Sequence, residues 1–374
     1  MADNEGYIEE QEENKVLEET TMDVTDKKCP NCGATVTYDP ATLKMICEYC
    51  GYTRELPKPE QNTALEEIDF ESAKLRSNKD WGTKQKSIVC KMCGAESLYD
   101  EALTASTCAF CGSTSVMPVD DDEDIMAPGG VVPFEISKDK AATLFTSWLG
   151  HRIFTPTAAK KSCKPENFSG IYLPYWTYDS ETTSSYDAQL GYEYKVKKGD
   201  HYETKVRWKR YTGVYEEFID DQVVYASKKT VNPSINQVSQ FDFTKLKPYN
   251  PEYISGFVAE RYTLGLDDGW TQAKVYIQNT LKSHLGSKLK STYHADRVGT
   301  INLSTAYDKI TFKYLLAPIW MANFKFNGKV YNFVVNGQTG KVAGKAPISW
   351  LRVAIAVILG IILFGFVLYC LSNS

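Results

Sequence analysis

The sequence predicts an α+β protein in three parts: two small metal-closed ribbons, an aromatic-rich body of helices and antiparallel sheet, and a C-terminal membrane-spanning helix. Three observations carry this. Four Cys-x-x-Cys pairs lie within the first 111 residues. From Val131 the composition shifts to aromatic and β-branched residues. Near the C-terminus, 353–371 are nineteen residues without a charge.

Residues 1–27 hold ten acids and two bases, Lys15 and Lys27. Few large apolar residues accompany them, which predicts a disordered acidic tail. The first ribbon is placed at 28–56, with Cys29, Cys32, Cys47 and Cys50. A helical linker is expected over 57–87, from a short apolar stripe of Leu65, Ile68, Phe70 and Leu75. The second ribbon is placed at 88–116, with Cys90, Cys93, Cys108 and Cys111. It repeats the first: each of the four cysteines recurs 61 residues later. Gly33, Ala34, Tyr38, Asp39 and Gly51 recur in the same register as Gly94, Ala95, Tyr99, Asp100 and Gly112. A single fixed offset across so many positions marks an internal duplication.

Residues 117–130 contain five successive acids, then Pro128 and two glycines, and read as a linker. The body is expected over 131–347. A helix should start at an N-cap Ser137 and bury Ala141, Leu144, Phe145 and Trp148. Long strands are expected around 184–196 and 201–218. A second helix, 267–290, has acids at its start and lysines toward its end, which suits the helix dipole. The segment 329–344 reads as a strand, an Asn-Gly turn region and a returning strand. A fainter symmetry pairs the two helices. Each precedes a strand with a proline and a tryptophan, Pro174-Tyr175-Trp176 and Pro318-Ile319-Trp320. Two lobes of helix plus antiparallel sheet would account for this, with Trp176 and Trp320 buried and the body folding without the ribbons.

The span is placed at 348–371. Nineteen uncharged residues at about 1.5 Å each reach about 28 Å, close to the ~30 Å hydrocarbon core. Lys341, Lys345 and Arg352 precede it, so the bulk of the chain is expected on the cytosolic side of the cell membrane. Only 372–374 follow, which reads as a tail anchor. The acidic N-terminus shows no export signal. Both readings agree with eight thiols that need a reducing compartment.

Four cysteines at this spacing suit a tetrahedral metal ion. Each knuckle supplies two ligands, and a hairpin of fourteen residues brings the pairs together. A glycine follows the second cysteine of every knuckle, where the chain turns tightly beside the sulfur. Two Zn²⁺ per chain are expected. Iron in a rubredoxin-like site is the chemical rival, since sulfur tetrahedra accept both. With all four ligands cysteine, neither site keeps an open position, which predicts structural metal and no catalysis. Removing a ligand by Cys47→Ser should unfold the first ribbon locally. Cys163 reads as a filler or surface thiol, and Cys370 as a small apolar residue of the span.

Other chemistry finds little support. The segment "GQTGKVAGKAP" fails P-loop spacing, and His151, His201, His284 and His294 make no metalloprotease motif. Asp267 and Asp268 read as a helix N-cap with its neighbour rather than as paired catalytic acids. The cluster Lys205, Arg207, Lys209 and Arg210 reads as the solvated face of a strand rather than as a lipid-phosphate site. Net charge is −5, and each ribbon has at least as many acids as bases, which argues against a nucleic-acid face.

The two clamps resemble the transcription factor IIB type of zinc ribbon. The whole chain resembles a bacterial family of zinc-ribbon membrane proteins, through both clamps, "VVPFEISKDKA", "GIYLPYWTYD", "APIW" and "VNGQTGKVAG". Members of that family are often labelled replication-restart helicase, but every helicase motif is missing from this sequence. Some similar proteins are encoded beside phage-shock-type membrane-stress proteins and SPFH-domain partners. The resemblance therefore implies a membrane adaptor with protein partners and no enzymatic activity. The alternative is a membrane-tethered nucleic-acid-binding or transcription-related protein.

Overall fold

The computed structural model describes residues 28–56, 67–72, 81, 85–100, 107–119, 126–161, 168–228 and 233–372. The acidic tail, Leu65, Leu75, the run of five acids and Cys163 lie outside these residues. Three short strands build the first ribbon: β1 (Thr37–Asp39), β2 (Lys44–Ile46) and β3 (Thr53–Arg54). Then come β4 (Ile68–Asp69), β5 (Gln85–Cys90), β6 (Glu96–Asp100), β7 (Val116–Val119) and β8 (Gly130–Val131). The body continues with α1 (Lys138–Gly150), α2 (Thr157–Lys161), β9 (Phe168–Lys198), β10 (His201–Tyr225) and α3 (Ile235–Val238). It closes with β11 (Lys247–Pro248), β12 (Val258–Glu260), α4 (Leu266–Thr292), β13 (Arg297–Phe326), β14 (Lys329–Asn336) and β15 (Val342–Gly344). The last helix is α5 (Trp350–Ser372). It is long and apolar enough to cross a membrane, and none of its apolar stretch is buried against the body.

The body is a duplicated unit whose halves are interlaced. β8 leads into α1 and β9; β12 leads into α4 and β13. β9 and β13 lie antiparallel over most of their length, from Arg297 opposite Gly191 to Ala322 opposite Phe168, with Leu173 opposite Ala317. β9 runs parallel to β12, the strand before the other lobe's helix, and β13 runs parallel to β8. Each tryptophan crosses in the same way. The Trp176 indole donates to Leu264 O (2.9 Å), just before α4. The Trp320 indole donates to Ile136 O (2.7 Å), just before α1. Matching turns complete the pattern. Ala226 N donates to Pro174 O (2.9 Å), and Gly337 N to Pro318 O (2.8 Å). Both tryptophans are buried, as expected.

The two prolines now have a physical account. β9 pairs with β12 through Ile171 and Tyr172, then with β10 from Tyr175 onward. β13 pairs with β8 through Leu315 and Leu316, then with β14 from Ile319. Pro174 and Pro318 each sit at the handover between two partners, where the strand needs no donor on that side.

Several expectations hold at residue level. Ser137 caps α1, accepting from Lys140 N at 3.3 Å. β14 and β15 form the returning pair. Two need correction. Ile68 and Phe70 do not lie on a helix: Ile68 and Asp69 pair with Phe312 and Thr311 of β13. A ladder edge on β13 outweighs an imperfect helical stripe. Asp267 and Asp268 are not the cap of α4. Gly265 is, and the two acids occupy the first turn, where they complement the dipole. The ribbons are joined to the body in the folded chain. β6 pairs with β12 through Ala259–Leu98 and Glu260–Ser97, so the second ribbon extends the body's sheet. Val36, Tyr38 and Met45 of the first ribbon share one buried cluster with Phe134, Tyr172 and Phe257. A unit of about thirty residues buries too little surface by itself, and its apolar face is covered by the body.

Candidate metal centres

Each ribbon folds its cysteines into two knuckles of the same design. Gly33, Gly51, Gly94 and Gly112 donate to the carbonyls of Cys29, Cys47, Cys90 and Cys108 at 2.8–2.9 Å. All four glycines have φ between 71° and 74°, the left-handed region that a side chain would strain. The turn brings the two sulfurs of each knuckle to the same side, and the hairpin brings the knuckles together. Cys29, Cys32, Cys47 and Cys50 form one group, Cys90, Cys93, Cys108 and Cys111 the other, and within each all four sulfurs lie within 4.8 Å of one another.

The donor set fits a metal ion. Cys29–Cys50 and Cys32–Cys47 are 3.4 and 3.5 Å apart, sulfur to sulfur. Cys90–Cys111 and Cys93–Cys108 are 3.6 and 3.7 Å apart. Four thiolates at about 2.3 Å from a central zinc would stand about 3.8 Å apart. A disulfide would bring them to about 2.05 Å. The thiolate is the ligating form. In each group one thiol is favoured as thiolate, while hydrogen bonding among the sulfurs and burial raise its neighbours, Cys32 and Cys50 in the first and Cys93 and Cys111 in the second. The N–H groups of Cys50 and Tyr49 bring the Cys47 thiol down to about 7. The Cys93 thiol, with the N–H groups of Cys111 and Phe110, brings Cys108 down to about 5. Both groups can hold a metal ion. Every corner is a cysteine, so the ion would close the hairpin and have no position for substrate.

The knuckles also present side chains. Tyr49, between Cys47 and Cys50, is 85% exposed, and Met92, between Cys90 and Cys93, is 72% exposed. The first ribbon is fixed to the body behind its knuckles. Tyr38 N donates to Ser255 O (3.2 Å), Ser255 Oγ to Val36 O (3.0 Å) and Tyr38 Oη to Phe134 O (3.2 Å). Arg54 meets the buried Glu252 carboxylate at 2.6 Å. An open cleft of about 750 Å³ remains at this seam, lined by Tyr38, Pro40, Leu43, Pro133, Lys245 and Tyr253 among others.

The remaining sequence candidates stay apart from the metal groups. Arg207 and Lys209 lie over Tyr194 and Tyr192, and Arg210 makes a two-point contact with Asp187 at 2.6 and 2.8 Å. That cluster decorates its own hairpin, as a solvated strand face does. Cys370 is exposed on α5.

One polar centre escaped the sequence reading. Asp179, Asp220 and Asp221 converge beside Lys313. The Lys313 ammonium lies 3.0 Å from Asp221, 3.2 Å from Glu67 and 3.5 Å from the buried Asp179. Register shifts in both β10 and β13 fall here, and Asp221 (φ 51°) and Lys309 (φ 50°) turn through the left-handed region. The Asp221 amide bonds to Asp179. Burial raises the Asp179 pKa, while burial lowers that of Lys313 and the surrounding carboxylates more than reverse it. The lysine supplies the countercharge. Nothing in the spacing of these residues announces the cluster, because two bulges bring them together.

The protein YdjG of Bacillus subtilis (strain 168), itself described as uncharacterized, is 29% identical over 334 residues, covering 87% of this chain and 91% of YdjG. The likeness therefore extends far beyond the two cysteine motifs. No family model matches the chain, and no solved structure does.

Proposed function

We propose that this protein is a membrane-anchored zinc-ribbon adaptor, without catalytic activity of its own, that presents a rigid protein-binding surface on the cytosolic side. The observation that carries the reading is the exposure of Tyr49 and Met92 inside closed knuckles. A large apolar side chain held out by a metal-closed turn loses little freedom on binding, which favours recognition. Aromatic residues and methionine are also enriched where proteins bind each other. All-cysteine ligation assigns the metal a folding role, and zinc suits it best. Lys341, Lys345 and Arg352 ahead of α5 support a cytosolic body. Protein partners of SPFH or phage-shock type fit the resemblance in sequence.

The test is photo-cross-linking in cells, with p-benzoylphenylalanine replacing Tyr49 or Met92 in the full chain. The membrane fraction is solubilised, and adducts are identified by mass spectrometry. A discrete protein adduct from either position, absent when the probe replaces the exposed Tyr276 of α4, is the expected result. Adducts with nucleic acid, or none from either knuckle, would overturn the adaptor reading.

A further inference from the structure

The apolar helix does not leave the body as a free stalk. Ser349 N donates to Phe154 O at 2.7 Å, in the turn that follows α1. The Arg352 guanidinium donates to Ile153 O (3.0 Å), Thr155 O (2.7 Å) and Thr157 Oγ1 (2.8 Å). The turn 151–157 is thus tied to the first turn of α5. Its other side is held as well. Arg152 stacks over Trp148 at 4.0 Å, and Lys160 Nζ donates to Gly150 O at 2.8 Å.

While the backbone of this turn faces the helix, its two large apolar side chains are open. Ile153 is 69% exposed and Phe154 37%. Ile348, Trp350 and Leu351 at the helix entry are exposed too. A lone exposed isoleucine needs no explanation. This pair is different because its carbonyls are bonded to the residues where the chain enters its uncharged stretch. A helix rises about 1.5 Å per residue, so 349–352 span roughly 5 Å along the axis. The interfacial layer on each side of the hydrocarbon core is about 5–8 Å thick, so these residues lie within one such layer if the helix enters there. If Arg352 lies at that level, the turn lies there with it. Charge points the same way: no acid occurs between Asp139 and Glu166, while Lys140, Arg152, Lys160, Lys161 and Lys164 do. A segment with this excess of bases is drawn to an anionic leaflet. The duplication shows the turn to be a departure within the fold. α4 continues for 27 residues, whereas its counterpart α1 stops after 13, and the chain makes this turn instead.

We propose that the turn 151–157 is a second membrane-contact site. Ile153 and Phe154 insert into the leaflet that α5 enters, and this second point of attachment fixes the tilt of the ribbons and body above the bilayer. The proposal rests on the reading of α5 as a span.

The experiment uses the full chain in vesicles of phosphatidylethanolamine and phosphatidylglycerol. The photo-cross-linker p-benzoylphenylalanine replaces, one at a time, Phe154, Phe364 in the middle of α5, and Tyr276 on the exposed face of α4. Lipid adducts are read by mass. Adducts at 154 and 364 and none above background at 276 are expected. Adducts at 364 but not at 154 would overturn this proposal and leave the anchor standing. Absence of adducts at both would remove the anchor reading, and this proposal with it. Adducts at all three would show that the body lies on the membrane without a dedicated contact turn, which also overturns it.

Discussion

Tyr38 packs the first cysteine ribbon against the body, and replacing it measures how far the two depend on each other. The ring packs edge-on to Tyr253 and tilted to Phe257, with centroids 5.6 and 6.5 Å away. Its hydroxyl reaches Phe134 O at 3.2 Å, deep in the aromatic core. Tyr38→Ala removes a buried ring, at a cost of about 3–5 kcal/mol for an aromatic truncated in a core. Loss of the hydrogen bond adds about 1 kcal/mol. A loss of about 4–6 kcal/mol lowers the midpoint of a body this size by roughly 10–20 °C. The assay is thermal unfolding of the detergent-solubilised full chain, followed by near-ultraviolet dichroism and tryptophan emission, with metal counted before heating. The expected result is a large drop in the body's midpoint with both metals retained, since Tyr38 is no ligand. Cys47→Ser should lower the same midpoint by releasing the ribbon that carries Tyr38. A body that melts within about 2 °C of the unmodified chain in both variants would refute the coupling, since that is less than about 1 kcal/mol. The ribbons would then be independent units.

Further outcomes follow from other sites. Elemental analysis of the purified chain should find two zinc ions; iron, or less than one equivalent of any metal, would contradict the assignment. Burial pushes the Glu260 carboxyl from its ordinary 4.5 up to about 8, with Tyr225 donating to it. The folded chain therefore holds a proton that the unfolded chain releases. The contribution of Glu260 to stability is fully present below about pH 4.5 and declines as pH rises toward 8, by up to about 1.4 kcal/mol per unit. Glu260→Gln should flatten that slope in urea titrations at a series of pH values, and an unchanged slope would show the carboxylate to be charged in the fold. Lys313→Met leaves Asp179 buried without its cation and should cost about 3–5 kcal/mol. Adding Asp179→Leu should recover part of that loss in the same titrations, and a single variant losing under about 1 kcal/mol would show the cluster to be solvated.

What the sequence determined by itself is local. A Cys-x-x-Cys-Gly knuckle is closed by hydrogen bonds within six residues, so its spacing specifies its geometry. The Ser137 cap and the apolar length of α5 are likewise written in adjacent residues. The lobes were legible through Pro174 and Pro318, because a proline in an aromatic strand needs a gap in the ladder. The tertiary structure decided how these pieces join. Trp176 bonds across to the entry of α4, and Trp320 to the entry of α1, so each lobe completes the other. Such a crossing leaves no trace in either segment alone. The docking of Tyr38 and the pairing of β6 with β12 were also outside its reach. Partner choice in a sheet depends on which edge is free once everything else has folded, and so does the fate of Ile68, which a helical stripe suggested and a strand edge claimed. The Asp179–Lys313 centre and the clasp of Arg352 on the turn after α1 join residues more than a hundred positions apart. Their physical cause is the packing of the interlaced lobes, which no local pattern records.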